Sequence, residues 1–240
     1  MTGFIMKIIA MGLMLIDHIG VCTNCLPLRI IGRPAFPVFA FMLAIGAMMS
    51  RNKWRYLLRI GICAILSEVP YDLLIRHTVW DMRSQNVCFT LIFGILLIFA
   101  LQRIFREREA KKKLLFGLIL AAGLGLVTLL EMTVFYTDYG LSGVLMILFM
   151  GLAVELERNR ALLMKLPNPA AIRTFAAAVG IMVLCFFHQG YEWFALFALI
   201  PIFFFNRKRG YKSQAFQLGS YFFYPLHMLI LDLIFVIPYF

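Results

Sequence analysis

Residues 4–22 read FIMKIIAMGLMLIDHIGVC, an apolar run of the length that a helix needs to cross a bilayer. Near the end of this run, Asp17 and His18 place an acid beside an imidazole where hydrocarbon is expected. Ionisable side chains inside a membrane are costly unless they are paired or hydrated, and they commonly mark functional sites. The stretch therefore predicts a first membrane helix that carries part of a polar site.

The rest of the chain has the same apolar character. Hydrophobic residues make up 62% of its 240 residues, and the mean hydropathy is +0.88, whereas soluble domains are nearer half apolar. Long apolar runs recur along the chain, which is typical of a polytopic helical protein embedded in the lipid bilayer. We therefore predict an all-α transmembrane helix bundle that forms a single domain over residues 1–240.

The apolar runs predict about nine spans, and the sequence shows no internal repeat. Their expected boundaries are residues 4–22, 35–50, 56–75, 87–104, 113–131, 139–157, 171–188, 191–206 and 218–237.

Basic residues are distributed asymmetrically in this chain of net charge +11. They concentrate in loops that follow alternate spans, at residues 51–55, 103–113, 158–173 and 207–212. The intervening loops hold only Arg29, Arg33, Arg76 and Arg83. The positive-inside rule then predicts a cytoplasmic N terminus and a C terminus outside. Because no basic soluble domain remains, the sequence argues against nucleic-acid binding.

Polar side chains that are unusual for membrane helices fall on the outer side in this topology. They are Asp17, His18, Arg33, Glu68, Asp72, Asn86, Asp138, Tyr139, His188 and Gln189. A single polar residue near a helix end can simply be hydrated. Their convergence on one side predicts a water-accessible cavity that opens outward.

Asp17 and His18 are the first candidates for chemistry. Adjacent residues on a helix point about 100° apart, so the two need not pair. Asp17 is expected to find a cation such as Arg33 or to cap a neighbouring helix. His18 is the best candidate for a general base because imidazole exchanges a proton near neutral pH. The alternative is a structural histidine that bonds between helices.

Arg33 lies in the sequence GRPAFP, residues 32–37, at the start of the second predicted span. The helix N terminus and the guanidinium together form an electropositive point. Such a point could bind a carboxylate or phosphate, or stabilise a developing oxyanion. The alternative is an arginine that only sets topology or contacts lipid headgroups.

The third predicted span contains SEVPYD, residues 67–72. Glu68, Asp72 and Arg76 follow one another at intervals of four, so a regular helix places them on one face. Either carboxylate could orient His18 or act as the acid or base. Both could instead belong to an ion-pair network with an arginine. Pro70 should kink this helix.

The last predicted span carries one polar stripe at helical spacing, formed by Gln217, Ser220, Tyr224 and His227. Pro225 predicts a kink within it. His227 is expected deeper in the membrane than His18. A second histidine at that depth suggests a proton relay or a line of substrate contacts, and interhelical hydrogen bonding is the alternative.

The first basic loop contains Arg51, Lys53 and Arg55, which could hold a phosphorylated donor arriving from the cytosol. Topology and lipid contact are the alternative. The sequence contains no zinc-binding helix, P-loop, nucleophile elbow or dinucleotide-binding fingerprint. No metal is therefore expected.

Six motifs, spread over nearly the whole chain, resemble those of the TraX family, named after the membrane protein that N-acetylates F pilin. They are LIDHIG at 15–20, GRPAFPVFAF at 32–41, SEVPYDL at 67–73, QNVCFTL at 85–91, DYGLSGVL at 138–145 and YFFYPLH at 221–227. Small departures from the family pattern, Pro34 and Tyr71, remove no candidate catalytic group.

The resemblance implies a multi-pass acyltransferase of the bacterial cytoplasmic membrane. It would move an acetyl group from acetyl-CoA, or another acyl group from its CoA ester, to an amine or hydroxyl. The acceptor would be an extracytoplasmic peptide N terminus or glycan. His18 matches the catalytic histidine proposed for the wider set of membrane acyltransferases.

The expected site follows from the motifs and the charge pattern together. The expected catalytic groups are His18, Asp17, Arg33, Glu68 and Asp72. The expected substrate contacts are Asn86, Asp138, Tyr139, Tyr224 and His227. The expected CoA contacts are Arg51, Lys53 and Arg55.

Two other functions use the same features. A transporter for a small anionic or zwitterionic solute could use the same cavity and kinked helices, although the lack of repeat symmetry weighs against it. A non-catalytic scaffold of an envelope complex would tolerate replacement of the charged residues.

Overall fold

The computed structural model describes residues 1–81, 83–133, 135–158 and 168–237. These residues form an almost entirely helical bundle. The helices are α1 Gly3–Cys22, α2 Leu26–Gly32, α3 Ala35–Met49, α4 Lys53–Tyr71, α5 Val87–Arg106, α6 Ala110–Thr133, α7 Gly140–Arg158, α8 Pro169–His188, α9 Leu199–Phe203 and α10 Gln214–Leu231. A 3₁₀ segment, Gly190–Ala198, leads into α9, and π-helical turns at Asp72–Arg76 and Asp232–Val236 continue α4 and α10. Two short parallel strands, β1 Ser84–Gln85 and β2 Tyr136–Thr137, pair in the loops.

The helix starts follow local sequence signals. Thr2, Asn52, Asn86 and Asn168 precede α1, α4, α5 and α8, and each side chain accepts a hydrogen bond from a backbone N–H of the first turn. Ser213 does the same for α10. Such caps satisfy N–H groups that have no partner within the helix.

The prediction of a polytopic helical bundle is confirmed. Within the described residues, seven helical segments are long and apolar enough to cross a membrane. They are Gly3–Cys22, Leu26–Met49, Val87–Arg106, Ala110–Thr133, Gly140–Arg158, Pro169–His188 and Gln214–Val236. The chain is thus a multi-pass membrane protein.

Three predicted spans differ in detail from the helices. The second begins earlier than expected, at Leu26, because prolines in the first turns of α2 and α3 need no hydrogen-bonded N–H. The predicted span 56–75 falls on α4 and its π turn, where charged residues dilute the apolar character. The predicted span 191–206 falls on the shorter apolar segment Gly190–Phe203.

Short connections reverse the chain repeatedly, so the bundle has two ends. At the basic end, Gly3 and Phe4 donate backbone hydrogen bonds to the carbonyls of Lys208 and Arg209, at 2.8 and 2.9 Å. At the polar end, the strand pair joins the loop before α5 to the loop before α7. The described parts of the four predicted basic loops adjoin helix ends at the basic end; residues 159–167 of the third loop, including Arg160 and Lys165, lie outside the described residues.

The core is centred on α3, where small and large apolar residues alternate. Val38, Ala40, Phe41, Ala44 and Ala47 are fully buried. By contrast, α6 lies at the periphery and buries only Val127 and Glu131 among its residues. Its exposed leucines and those of the other outer faces form the apolar surface that a protein presents to lipid.

Candidate functional site

A cavity of about 840 Å³ runs inside the bundle and is lined by residues of both ends. Lining residues of the polar end include Asp17, His18, Arg29, Arg33, Asp138, Tyr139, His188, Glu192 and Tyr224. Lining residues of the basic end include Gly3, Lys7, Arg207, Lys208, Arg209 and Lys212. Lys7 and His18 both lie on α1, about 16 Å apart along the helix axis at 1.5 Å per residue. The cavity therefore connects the two ends.

A buried ion network forms one wall of the cavity at the polar end. Asp17 Oδ2 accepts hydrogen bonds from Arg29 Nη1 at 2.7 Å and from Arg33 Nη2. Arg33 Nη1 donates to Glu192 Oε2 at 3.0 Å. The predicted pairing of Asp17 with Arg33 is confirmed. The two guanidinium groups carry as much positive charge as the two carboxylates carry negative charge. Pairing of this kind is how an apolar interior accommodates ionised side chains.

Two glycines bring the charged helices together. A Cβ at Gly32 would lie only 2.6 Å from Asp17 Cα, and a Cβ at Gly20 would lie 2.9 Å from the Arg29 backbone nitrogen. Arg29 and Arg33 are one helical turn apart. The close approach of α1 to α2 therefore lets both guanidinium groups reach Asp17.

His18 is paired with a second histidine. Its Nδ1 lies 2.6 Å from Nε2 of His227, and the rings are nearly parallel, with an interplanar angle of 7°. Nδ1 of His227 lies 2.7 Å from the carbonyl oxygen of Phe223. His18 lines the cavity, whereas His227 lies behind it.

The hydrogen-bond chain fixes which nitrogens carry protons. A carbonyl oxygen can only accept, so Nδ1 of His227 must donate to Phe223. In a neutral ring, Nε2 of His227 is then an acceptor, and Nδ1 of His18 must donate to it. This assignment follows from the hydrogen-bond partners. It leaves Nε2 of His18 with an unprotonated lone pair, the form that a general base requires.

Aromatic and polar side chains complete the polar end. Tyr139 stacks on Phe36 with ring centroids 3.8 Å apart, and His188 contacts the edge of Tyr139. Nε2 of His188 lies 3.0 Å from the hydroxyl oxygen of Ser142. Tyr224 lies beside His18, with centroids 6.4 Å apart.

Asp138 lies in the loop before α7 and accepts a hydrogen bond from the Tyr71 hydroxyl at 3.3 Å. Burial raises the pKa of Asp138 above its usual range, although the nearby Arg33 charge opposes the rise. Of the five predicted substrate contacts, Asp138, Tyr139 and Tyr224 line the cavity.

Glu68 and Asn86 belong to a separate buried network beside the cavity. The Asn86 side-chain amide donates to Glu68 Oε2 and, at 2.8 Å, to the Ala64 carbonyl. Its Oδ1 accepts from the Cys88 N–H at 3.0 Å and so caps α5. Neither Glu68 nor Asn86 lines the cavity. Their contacts join α4 to the start of α5.

The chain departs from regular α-helical geometry within the series Glu68, Asp72 and Arg76. It continues from Asp72 to Arg76 as a π turn, and the common face of the three side chains stays a prediction. Asp72 Oδ2 accepts from the Asp81 backbone N–H at 2.7 Å and holds the following loop. Like Glu68, Asp72 does not line the cavity, and its catalytic role stays a prediction.

The predicted CoA contacts also lie outside the cavity lining. Arg51 and Arg55 are exposed. Lys53 donates to Gln102 Oε1 and its ammonium lies 4.5 Å from the centroid of the Phe99 ring. The structure brings other cations, those of residues 207–212, to the cavity instead.

Two residues of the ion network were not among the predicted site residues. Glu192 is an acid within an apolar segment, a signal that could have marked it. Arg29 precedes Arg33 by one helical turn, but the sequence placed it in a loop. Only the folded chain shows that both complete the network around Asp17.

Residues 2–235 match the family model described as TraX protein. The chain belongs to the TraX family. This family is associated with F-pilin acetylation. No curated protein and no solved structure matches the chain significantly. The stretches LIDHIG at 15–20 and YFFYPLH at 221–227 contain His18 and His227, the two imidazoles that meet in the fold.

Proposed function

We propose that this TraX-family chain is a membrane-embedded acyltransferase that moves an acetyl group from acetyl-CoA to an amine or hydroxyl. The observation that carries the proposal is the cavity that joins the basic end to a histidine whose Nε2 is held as an acceptor. A donor bound at the basic end could thereby reach the base without leaving the protein. The acceptor would be an extracytoplasmic peptide N terminus or glycan.

His18 is the group that removes the proton from the acceptor. As the acceptor nitrogen or oxygen attacks the thioester carbonyl, its proton passes to Nε2 of His18. The carbon–sulfur bond then breaks, the acceptor keeps the acetyl group, and the CoA sulfur leaves with the proton returned from His18. Acid and base work of this kind contributes about 10²- to 10⁴-fold to rate.

The arginines of the ion network supply positive potential beside His18. Arg33 is fixed between Asp17 and Glu192. Arg29 lines the cavity and bonds Asp17 through Nη1. Preorganised cations of this kind stabilise the negative charge that develops on a carbonyl oxygen during acyl transfer.

The network also favours an acceptor that brings hydrogen-bond donors. Among the described residues, Asp17 Oδ1 and Glu192 Oε1 are buried and have no hydrogen-bond partner. Buried carboxylate oxygens are normally satisfied. An amine that supplies N–H groups would complete the network better than an apolar ligand would.

The proposal places the basic end in the cytoplasm of a bacterial cell and the polar end outside. The positive-inside rule supports this orientation, because the basic loops gather at one end. Acyl-CoA would then enter from the cytosol, while the acceptor would approach His18 from the outer face of the cytoplasmic membrane.

A transporter is the second candidate, favoured by the lining of the cavity from both ends. The two functions differ in covalent chemistry. A transporter moves its solute unchanged, whereas the acyltransferase cleaves a thioester. Solute flux in proteoliposomes without any thioester cleavage would support the transporter and contradict the acyltransferase.

The test uses the full chain reconstituted in lipid nanodiscs with acetyl-labelled acetyl-CoA. Peptides with a free N terminus and soluble glycans serve as acceptors, and mass spectrometry detects the labelled acetyl group on each. We expect transfer to at least one acceptor class and none to an N-terminally blocked peptide that has no hydroxyl or lysine side chain. Failure to label any amine or hydroxyl acceptor would contradict the proposal.

A further inference from the structure

We propose that the basic end of the cavity is a binding site for the phosphate groups and base of a nucleotide. The assignment of that nucleotide to the CoA donor rests on the proposed function. The site, here called the basic mouth, is formed by Lys7, Arg59, Arg207, Lys208, Arg209 and Lys212, all of which line the cavity.

Among the described residues that line the cavity, the cations of the basic mouth outnumber the acids at that end. Glu157 also lines the cavity, but its Oε1 accepts a hydrogen bond from Arg173 Nη1 at 2.7 Å. Nε of Arg207 lies 3.9 Å from the same oxygen. One carboxylate shared by two arginines cannot neutralise the six cations of the basic mouth, which can therefore attract an anion with several negative charges.

The loop that carries most of these cations is fixed to the N terminus. Backbone hydrogen bonds join Gly3 to Lys208 and Phe4 to Arg209, and Asn206 donates to the Met1 carbonyl at 2.8 Å. These three backbone hydrogen bonds, here called the backbone ladder, hold the main chain of residues 206–209. The side chains of Lys208 and Arg209 remain exposed and line the cavity. A loop held in this way presents its cations at a fixed position.

Aromatic rings lie beside the cations and favour a nucleotide. Phe4 contacts Tyr211 and Phe216, with ring centroids 5.4 and 4.6 Å apart, and all three line the cavity. Tyr211 remains 67% exposed. Its accessible ring offers a surface on which a purine can stack. A nucleotide fits this arrangement, because its phosphates can bind the cations while its nucleobase stacks on the ring.

The length of the cavity defines the rest of the ligand. A molecule with phosphates near Lys7 and its reacting carbonyl near His18 needs a linear arm of about 16 Å, the separation of the two residues along α1. The pantetheine arm of CoA is a linear chain that ends in the thioester. A lipid headgroup shares the phosphate chemistry, but it lacks the base.

The test measures CoA binding by calorimetry to the full chain in nanodiscs of neutral lipid. Arg209→Gln/Lys212→Gln removes two cations of the basic mouth and leaves the backbone ladder intact. Arg106→Gln/Arg108→Gln removes the same charge from an exposed loop outside the cavity lining and is the matched control. We expect the first pair to weaken CoA binding about tenfold or more, as loss of charge-assisted hydrogen bonds does. The control should change it less than about twofold.

Ligand fragments locate the contacts. CoA without its 3′-phosphate should bind more weakly than CoA, and this difference should shrink in Arg209→Gln/Lys212→Gln. Pantetheine, which has no phosphate, should bind both proteins equally. Equal weakening of CoA binding by the mouth pair and the control pair would contradict the inference.

A separate experiment tests whether the basic mouth binds the phosphate of a lipid headgroup instead of a nucleotide. Native mass spectrometry of protein in nanodiscs containing phosphatidylglycerol counts the lipids that stay bound. If the mouth pair releases phosphatidylglycerol while CoA binding to the unsubstituted protein is absent, the site holds lipid headgroups and the nucleotide assignment is overturned.

The outcomes separate this inference from the proposed function. At acetyl-CoA concentrations below KM, labelled-acetyl transfer that persists unchanged in the mouth pair would overturn the inference and leave the acyltransferase proposal intact. Weakened CoA binding in the mouth pair, without transfer to any acceptor by the unsubstituted protein, would support the basic mouth and contradict the acyltransferase.

Discussion

The imidazoles of His18 and His227 meet with Nδ1 and Nε2 2.6 Å apart, although the residues come from the first and last long helices. Because Nδ1 of His227 is held by the Phe223 carbonyl, the proton between the rings belongs to His18. His227 is therefore a positioning residue that fixes the tautomer of His18.

Replacement of His227 should lower kcat more than it raises KM. In His227→Leu, nothing holds the proton on Nδ1 of His18, and we expect kcat to fall roughly 10- to 100-fold. This is less than the ≈10⁴-fold loss that a wrong histidine tautomer causes in a serine protease. Glutamine retains an amide oxygen that can accept from His18, so His227→Gln should recover part of the rate. Equal kcat values for the two variants would argue against a positioning role.

Removal of Arg33 should destabilise the protein strongly. Arg33→Gln leaves Asp17 and Glu192 with insufficient positive charge in a buried setting, and a broken buried ion pair costs about 3–5 kcal/mol. The double variant Arg33→Gln/Glu192→Gln removes one charge of each sign and should regain part of the loss. Thermal unfolding in detergent measures both. A double variant less stable than Arg33→Gln would contradict this account of the network.

Substitution of Gly32 should disturb the site through packing alone. A methyl group there meets the Asp17 backbone, and overpacking of this kind costs about 1–3 kcal/mol. Gly12→Ala on α1 is the control, because its new methyl group meets nothing within 4 Å. Unfolding midpoints should fall for Gly32→Ala and not for Gly12→Ala. The reverse order would show that α1 and α2 do not pack as described.

Asp138 should make stability depend on pH in a defined direction. Burial raises its pKa in the folded protein, so the folded state retains the proton when the unfolded state has already lost it. Stability is therefore greatest below the unfolded pKa of about 3.9 and declines as pH rises from there through the folded pKa. Asp138→Asn cannot ionise and should flatten this decline in unfolding midpoints measured against pH. A steeper decline in the variant would exclude the assigned direction.

Sequence reasoning predicted the membrane helices well because bilayer thickness sets the length of each apolar run. It also predicted the Asp17–Arg33 pair, since a short connection brings the start of α3 beside the end of α1. It could not predict the partners that arrive from distant segments. Glu192 reaches Arg33 across 159 positions of the chain, and tertiary packing alone determines that contact.

Two other differences have local causes. The π turn that continues α4 begins at Asp72, and the spacing of polar residues in the sequence does not reveal it. The basic loops around Lys53 and Lys208 have similar compositions, so the sequence does not distinguish their roles. Only the backbone ladder between Gly3 and Lys208 places the second loop at the cavity.

The most direct test of the central claim is the rate at which free CoA is released from acetyl-CoA when an acceptor is present. The account predicts that His18→Ala lowers this rate about 10²- to 10⁴-fold while CoA affinity is retained. The control His77→Asn changes an exposed histidine of positive φ to a residue that tolerates that backbone, and it should release CoA at the unsubstituted rate. An unchanged rate in His18→Ala would show that His18 is not the base.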